Sequence, residues 1–463
     1  MKDISAKLLL ALLVSGFCGS HSVAAESEYY VGRTPAVCPA SAQAPAAERK
    51  AKPSQGALEL RQFIAGAMPE SVLPITSEGY FKLPKPYSVP CRGGGFRDMF
   101  YWDTYFTNAG LLTIGDKDQA LNNIEDIAWL IDTLGYMPNG TGRGLINRTQ
   151  PPLFCMMVRD YFDATADTLF LERMMPRLEK EYTYWMTNRL APNGLNRYGH
   201  SATDAELIDF CKEIAQRVRI DPSTLSDEAR KTLGAHLLAE AESGWDFNPR
   251  FKGRCMDFNP VDLNAILYGY ERNMADFIRI LRREGAGGWE AKAAKRKALM
   301  DSTMIDPATD LYFDYDYVND CRSDVYSAAV FWPLWQGAAS AESAARVVES
   351  LPRLETAYGI LTCELRPGEE PFAQWDAPNG WAPLHYAAFA GLDRAGYPAE
   401  AARIARKYVD VQTDIFGATR RLWEKHNALQ GNHEAHHEYD LSGEFLGWTA
   451  GTYLAAYKYL YGE

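Results

Sequence analysis

Positive charge is what this chain has least to spare. Its 48 Lys and Arg face 60 Asp and Glu, for a net charge of −12. The basic footprint that phosphate-backbone binding requires is absent, which excludes a nucleic-acid partner. Long apolar runs are missing after the first 25 residues, so nothing later in the chain reads as a membrane-spanning segment. Period-two alternation of apolar and polar residues is rare, which leaves little room for sheet. Cysteine is sparse and scattered. Cys18 falls in the N-terminal segment and leaves Cys38, Cys91, Cys155, Cys211, Cys255, Cys321 and Cys363. In an oxidising compartment one or two disulfides can form among these seven, with a pairing that spacing does not define. Histidine is equally sparse, and half of the 8 lie between His426 and His437.

What is present begins with a leader. MKDISAKLLLALLVSGFCGSHSVAAESE has Lys2 and Lys7, an apolar run Leu8 to Phe17, and a small-residue exit at Val23-Ala24-Ala25. That is the form of a secretory signal peptide over residues 1–25, too short to remain as a membrane anchor. Bulky Phe17 before Cys18 argues against a lipoprotein. The mature protein is expected in the periplasm or secreted, off the membrane. Residues 26–55, rich in Ala, Pro and Ser, read as a flexible lead-in.

From residue 56 to 463 one pattern recurs. Very apolar helices are expected at about Trp102–Leu112, Pro151–Phe162, Asp262–Ile280, Tyr326–Ala339, Pro383–Ala395 and Phe445–Leu460. Between them lie amphipathic helices such as DKDQALNNIEDIAWLIDTLG, with Ala120, Ile124, Ile127 and Ile131 on one stripe, and PAEAARIARKYVDVQTDI. GALELRQFIAGAM supplies a sixth. Helices apolar all round must be buried, and one-sided ones cover them. Six of each predict an all-α (α/α)6 toroid in one catalytic domain, with a helical bundle or solenoid as the alternative. In a toroid the loops entering the inner helices open at one end, so distant residues meet there.

Those loops carry the unusual residues. QWDAPNGWAPLHYAAFAGL crowds Trp375, Asp376, Asn379 and Trp381 around Pro378 and Gly380. A turn explains the Pro, Asn and Gly. Two indoles beside an acid and an amide suit a sugar ring, whose C–H face stacks on aromatics and whose hydroxyls take directed hydrogen bonds. RGGGFRDMFYWD, PNGTGRGLINRTQPP, ESGWDFNPRF and LWEKHN through HEYD occupy the equivalent loops.

FYWDTYF, MPNG, RTQPP, SGWDF and QWDAPNGWAP, in this order, resemble the trehalases, inverting glycoside hydrolases with an (α/α)6 barrel. The resemblance covers the chain from about residue 56. It implies hydrolysis of an α-glucosidic bond, with α,α-trehalose as first choice and another α-glucosyl disaccharide or conjugate as the alternative. No cofactor and no metal are implied, the partner is a small carbohydrate, and a monomer is expected. The family's general acid falls on Asp246 of SGWDF and its general base on Glu424 of WEKHN. Its sugar-binding positions fall on Phe96, Trp102, Asp103, Asn139, Arg148, Thr149, Gln150, Gly244, Gln374, Trp375, Trp381 and, in HEYD, Glu438.

The chemistry of these residue types fits. Inversion needs one protonated carboxyl at the leaving oxygen and one carboxylate that activates water on the opposite face, roughly 6.5–9.5 Å apart. Trp245 beside Asp246 offers an apolar flank of the kind that keeps an acid protonated. A sugar-binding protein without turnover would need neither acid, and a phosphorylase of similar fold would need a phosphate site in place of Glu424.

The chain also departs from the family. Its first signature has an arginine where Gly95 stands, and Arg92 is the nearest replacement. The Arg-Pro-Glu-Ser segment has no counterpart, because LNRYGHSATD runs into AELIDFCKEIAQRV, which reads as an ordinary helix. The glycine-rich lid has become HNALQGNHEAHH. By the resemblance, all three elements serve the leaving-group sugar, so the aglycone is expected to be handled differently. His433-Glu434-Ala435-His436-His437 matches HExxH, but zinc chemistry needs both histidines on one helix face and a third ligand. Gly431 and Asn432 directly before the run argue for a loop.

Overall fold

The computed structural model describes residues 52–75, 80–93, 95–366, 368, 374–435 and 445–462. The leader, residues 26–51 of the lead-in, and His436, His437 and Glu438 lie outside the described residues.

Helix boundaries follow local chemistry. Ser54 accepts from the Ala57 amide and starts α1 (Gln55–Ala67). α2 (Tyr101–Ile114) ends at Gly115 and α3 (Lys117–Leu134) at Gly135, both in the left-handed conformation. α3 buries Ala120, Ile124, Ile127 and Ile131, the stripe its sequence presents. Then come α4 (Phe154–Thr165) and α5 (Thr168–Asn188). An insertion holds α6 (Asp204–Ile214), a 3₁₀ turn over Ala215–Val218, and α7 (Asp227–Ser243). After it run α8 (Val261–Ile280), α9 (Ala286–Thr303), α10 (Phe331–Gln336) and α11 (Ala341–Glu349). The chain finishes with α12 (Ala382–Arg394), α13 (Pro398–Thr419) and α14 (Gly447–Tyr461).

The expected inner helices form a closed ring. α2 packs on α4, α4 on α8, α8 on α10, α10 on α12, α12 on α14, and α14 returns to α2. Outer helices α3, α5, α9, α11 and α13 each follow an inner helix, and α1 packs on α13 and α14 as the sixth. The ring closes tightly between α14 and α2. A Cβ at Gly451 would lie 1.8 Å from the Phe106 carbonyl oxygen, so only glycine lets the two backbones meet.

Two inner helices differ from expectation. Pro151 and Pro152 stay outside the helix and delay α4 to Phe154: a proline disfavours the helical region for the residue before it, and the Leu153 amide bonds the Pro151 carbonyl at 2.8 Å instead. The fourth is only α10, preceded by a 3₁₀ turn at Ala328–Val330 and ended by Gly337 at φ +74°. Strand pairs are short and tie the loops at the inner helix entrances. Lys425–Asn427 pairs antiparallel with Asn379–Trp381, Lys425 opposite Trp381, and Cys91–Arg92 pairs with Phe445–Leu446. Among the described residues Cys155, Cys211, Cys255 and Cys363 are buried and form no disulfide with one another.

Candidate active site

The inner helices present their N-terminal ends to one side of the ring, and the motif loops gather there. Trp102 and Asp103 stand in the first turn of α2. The Trp102 amide donates to Gln150 Oε1 at 3.1 Å, joining α2 to the loop before α4. Asn139 Nδ2 donates to the carbonyls of Thr149 and Ala241, at 3.4 and 3.2 Å. Glu242, in the last turn of α7, accepts the Thr149 amide at 3.0 Å and two Arg189 N–H groups at 2.7 Å each. Three loops are thus pinned to one another beside the end of α7. Thr149 Oγ1 donates to the Met137 carbonyl at 2.5 Å, so this side chain is engaged in holding the loop.

Gly244 terminates α7 at φ +73°, and a Cβ there would meet the Trp102 ring at 2.6 Å. The chain then turns through Trp245 and Asp246. From this point the aromatic residues form a column. The Arg250 guanidinium lies 4.2 Å from the Trp245 ring centre, and it also binds Asp262 and Asp314 at 2.7 and 2.8 Å. Trp245 stacks on Trp375 at 5.4 Å, and Trp375 on Trp381 at 3.9 Å with planes 3° apart. The Lys425 ammonium closes the column, 4.6 Å from the Trp381 ring centre. Trp102 and Trp448 pack against Trp375, and Trp448 is edge-on to Trp381 as well.

The column changes the expectation for the two indoles. The sequence presents Trp375 and Trp381 as sugar-stacking faces, yet Trp375 has an indole on each face and Trp381 has an indole and an ammonium. Both are buried. Their flat faces hold the loops in place, which leaves only ring edges for a ligand.

Asp246 adjoins Trp245 at one end of this column, and Glu424 adjoins Lys425 at the other. Lys425 Nζ binds Glu424 Oε2 at 2.9 Å, and the Trp448 indole N–H donates to the Glu424 carbonyl at 3.0 Å. Asp103 feels both acids. Loss of surrounding water, then the charge of Glu424 and more weakly that of Asp246, push its carboxyl up to about 8. Burial lowers the Arg148 guanidinium, while Asp246, Glu242 and Glu213 oppose the shift. Arg148 donates to the Gly144 carbonyl and Asn147 and lies 5.7 Å from the Phe210 ring centre. Asp246 therefore lies within reach of the charges of both Asp103 and Arg148, and Glu424 within reach of Asp103.

The remaining candidates lie in the neighbouring loops. Phe96 is half-buried and edge-on to Phe100. Gln374 is buried, and its Oε1 accepts from Arg217 at 3.0 Å. Asp376 is held by Arg366 at 2.7 Å and its Oδ1 accepts the Ala377 amide, which shapes the tryptophan loop. Arg92 does not stand in simply for the arginine missing at Gly95: it binds Glu70 at 2.7 Å and overlies Phe63, toward α1. His433 stacks on Trp423 at 4.6 Å, and residues 433–435 are not helical. Lys425, Trp448 and Arg217 were not read from the sequence as site residues. Lys425 carried a signal, being a cation next to the expected base. Arg217 carried none.

With this geometry in hand, the relatives are informative. The trehalase family profile matches residues 61–460. A periplasmic trehalase of Pseudomonas aeruginosa is 34% identical over 407 residues, covering 82% of this chain and 72% of that protein. One of Xanthomonas campestris pv. campestris is 32% identical over 424 residues, covering 85% and 72%. The neutral trehalase of Saccharomyces cerevisiae superposes with a TM-score of 0.69 at 26% identity, over 86% of this chain and 80% of that one. The chain belongs to the trehalase family and is a glycoside hydrolase.

Proposed function

We propose that this protein is an exported trehalase that hydrolyses α,α-trehalose to two glucose molecules with inversion. Asp246 protonates the glycosidic oxygen as the C–O bond breaks. Glu424 takes a proton from water as that water attacks the opposite face of the anomeric carbon, so one glucose leaves as the β-anomer and the other as the α-anomer. The observation that supports this reading best is that the charges of both acids act on the buried Asp103, while Asp246 directly follows Trp245 and Glu424 directly precedes Lys425, the two ends of the stacked column. Lys425 Nζ, 2.9 Å from Oε2, fixes the orientation of the Glu424 carboxylate. Asp103 and Arg148 are the groups best placed to hold the attacked glucose. The periplasmic names of the relatives and the leader at residues 1–25 support export.

Asp246→Asn and Glu424→Gln should each lower turnover by about 10²–10⁴-fold while melting like the parent. Proton NMR of the first product from trehalose should show β-glucose alongside α-glucose in equal amounts. Initial α-glucose alone would mean retention and would remove Glu424 as a base.

A further inference from the structure

Two buried histidines that the proposed reaction does not use, His385 and His426, converge on the strand pair beside Glu424. His426 is the middle residue of Lys425–Asn427 and stands opposite Gly380. His385 lies in the first turn of α12, directly after the strand that ends at Trp381. Their ring centres are 5.2 Å apart. His426 Nε2 donates to the Tyr358 carbonyl at 3.1 Å, and its Nδ1 accepts from Gln412 Nε2 of α13 at 3.2 Å. His385 Nε2 accepts the Ile360 amide at 2.8 Å, so its Nδ1 carries the proton given to the Trp381 carbonyl at 2.7 Å. A neutral imidazole offers one donor and one acceptor, and both rings have both matched. Tyr358 and Ile360 belong to one hairpin, in which Glu355–Thr356 pairs with Gly359–Ile360. The two rings thus clamp that hairpin, α12 and α13 to the strand pair.

A ribbon of two short strands is marginal on its own, and this one leads directly from the proposed base. Glu424 precedes it, and Lys425 Nζ reaches both Glu424 Oε2 at 2.9 Å and the Trp381 ring, 4.6 Å from its centre. A shift of either strand therefore moves the carboxylate. The clamp holds one strand through the His426 ring and the other through the Trp381 carbonyl. We propose that His426, with His385 beside it, is a positioning residue that aims the Glu424 carboxylate through the strand carrying Lys425. It acts through the base, so its loss should slow turnover without weakening substrate binding. The proposal rests on the assignment of Glu424 as the base.

A double-mutant cycle on α-D-glucopyranosyl fluoride tests this, because fluoride departs with little help and activation of water is left to the base. His426→Leu fills much the same space and removes both hydrogen bonds. It should lower kcat by about tenfold, with KM within about twofold of the parent. His426→Gln, whose amide can reach the Tyr358 carbonyl, should recover most of that loss. In a Glu424→Gln background the same His426→Leu change should cost less than about threefold, since a base that is gone cannot be misplaced. A ring that only kept the protein folded would cost the same fraction in both backgrounds. Should His426→Leu fail to fold, Gln412→Leu removes one bond from the α13 side and is read in the same way. A parental kcat, or equal fractional losses with and without Glu424, would overturn the positioning role. A Glu424→Gln variant with parental kcat would instead remove Glu424 as the base, and the positioning role with it.

Discussion

At Gly244 the chain must satisfy two demands at once. The residue ends α7 in the left-handed conformation and lies flat against the Trp102 ring, where a Cβ would approach to 2.6 Å. Either demand alone costs a larger residue about 1 kcal/mol. Together they set the direction in which Trp245 and Asp246 leave the helix. Gly244→Ala should therefore destabilise by more than about 1 kcal/mol in a denaturant titration and reduce kcat at least about tenfold, because a small misplacement of the acid is costly. A variant with parental stability and rate would show that the loop relaxes without moving Asp246.

Among elements, the insertion differs from the ring. The inner helices share one continuous core, while α6 and α7 rest on a handful of residues around Phe247. Segments held by few apolar contacts open before the rest of a fold. Leu237→Ala removes a buried member of the small core and should cost about 2–5 kcal/mol locally. Hydrogen exchange should rise across 204–243 while α2, α12 and α14 keep their protection. Exchange that rises uniformly over the molecule would mean that the insertion and ring unfold as one unit.

For the whole molecule, buried acids set a direction for stability against pH. Burial, the leading cause in each, pushes Asp103, Asp126 and Glu240 up to about 8 and Asp160 and Glu181 up to about 7. A raised acid holds a proton when folded that it releases when unfolded, so its contribution is full below about 4 and is lost as pH rises through 7 to 8. His385 and His426 act oppositely. Burial lowers them to about 3 and about 4, so their neutral forms add stability above about 6.5 that is lost on acidification. The two sets offset each other below about 6.5, and only the acids act above it. Thermal melts should show Tm falling between about pH 6.5 and 8, and a Tm that rises over that interval would contradict the burial of these carboxyls.

What the sequence determined by itself is the part that local chemistry encodes. The stripe at Ala120, Ile124, Ile127 and Ile131 specifies a one-sided helix wherever it packs, and α3 buries those four residues. Apolar runs such as that of α14 have no face to give to water, so a ring of buried helices follows from burial alone. The motif residues of the cleft were legible in the same way, as acids and indoles clustered at helix entrances. Two proline residues and one glycine then shortened helices whose apolar pattern ran further, because the restriction a proline places on the residue before it, or a left-handed turn, overrides hydrophobicity. Only the tertiary structure decided what the indoles do. Composition marks Trp375 and Trp381 as large flat surfaces, but whether a face meets a sugar or another ring depends on which loops converge. Here Trp245 arrives from α7 and Lys425 from the strand opposite Trp381, and they take the faces first. Arg217 was illegible for the same reason: nothing near it in sequence marks it, and it reaches Gln374 across 157 residues because the insertion folds back on the acid's loop.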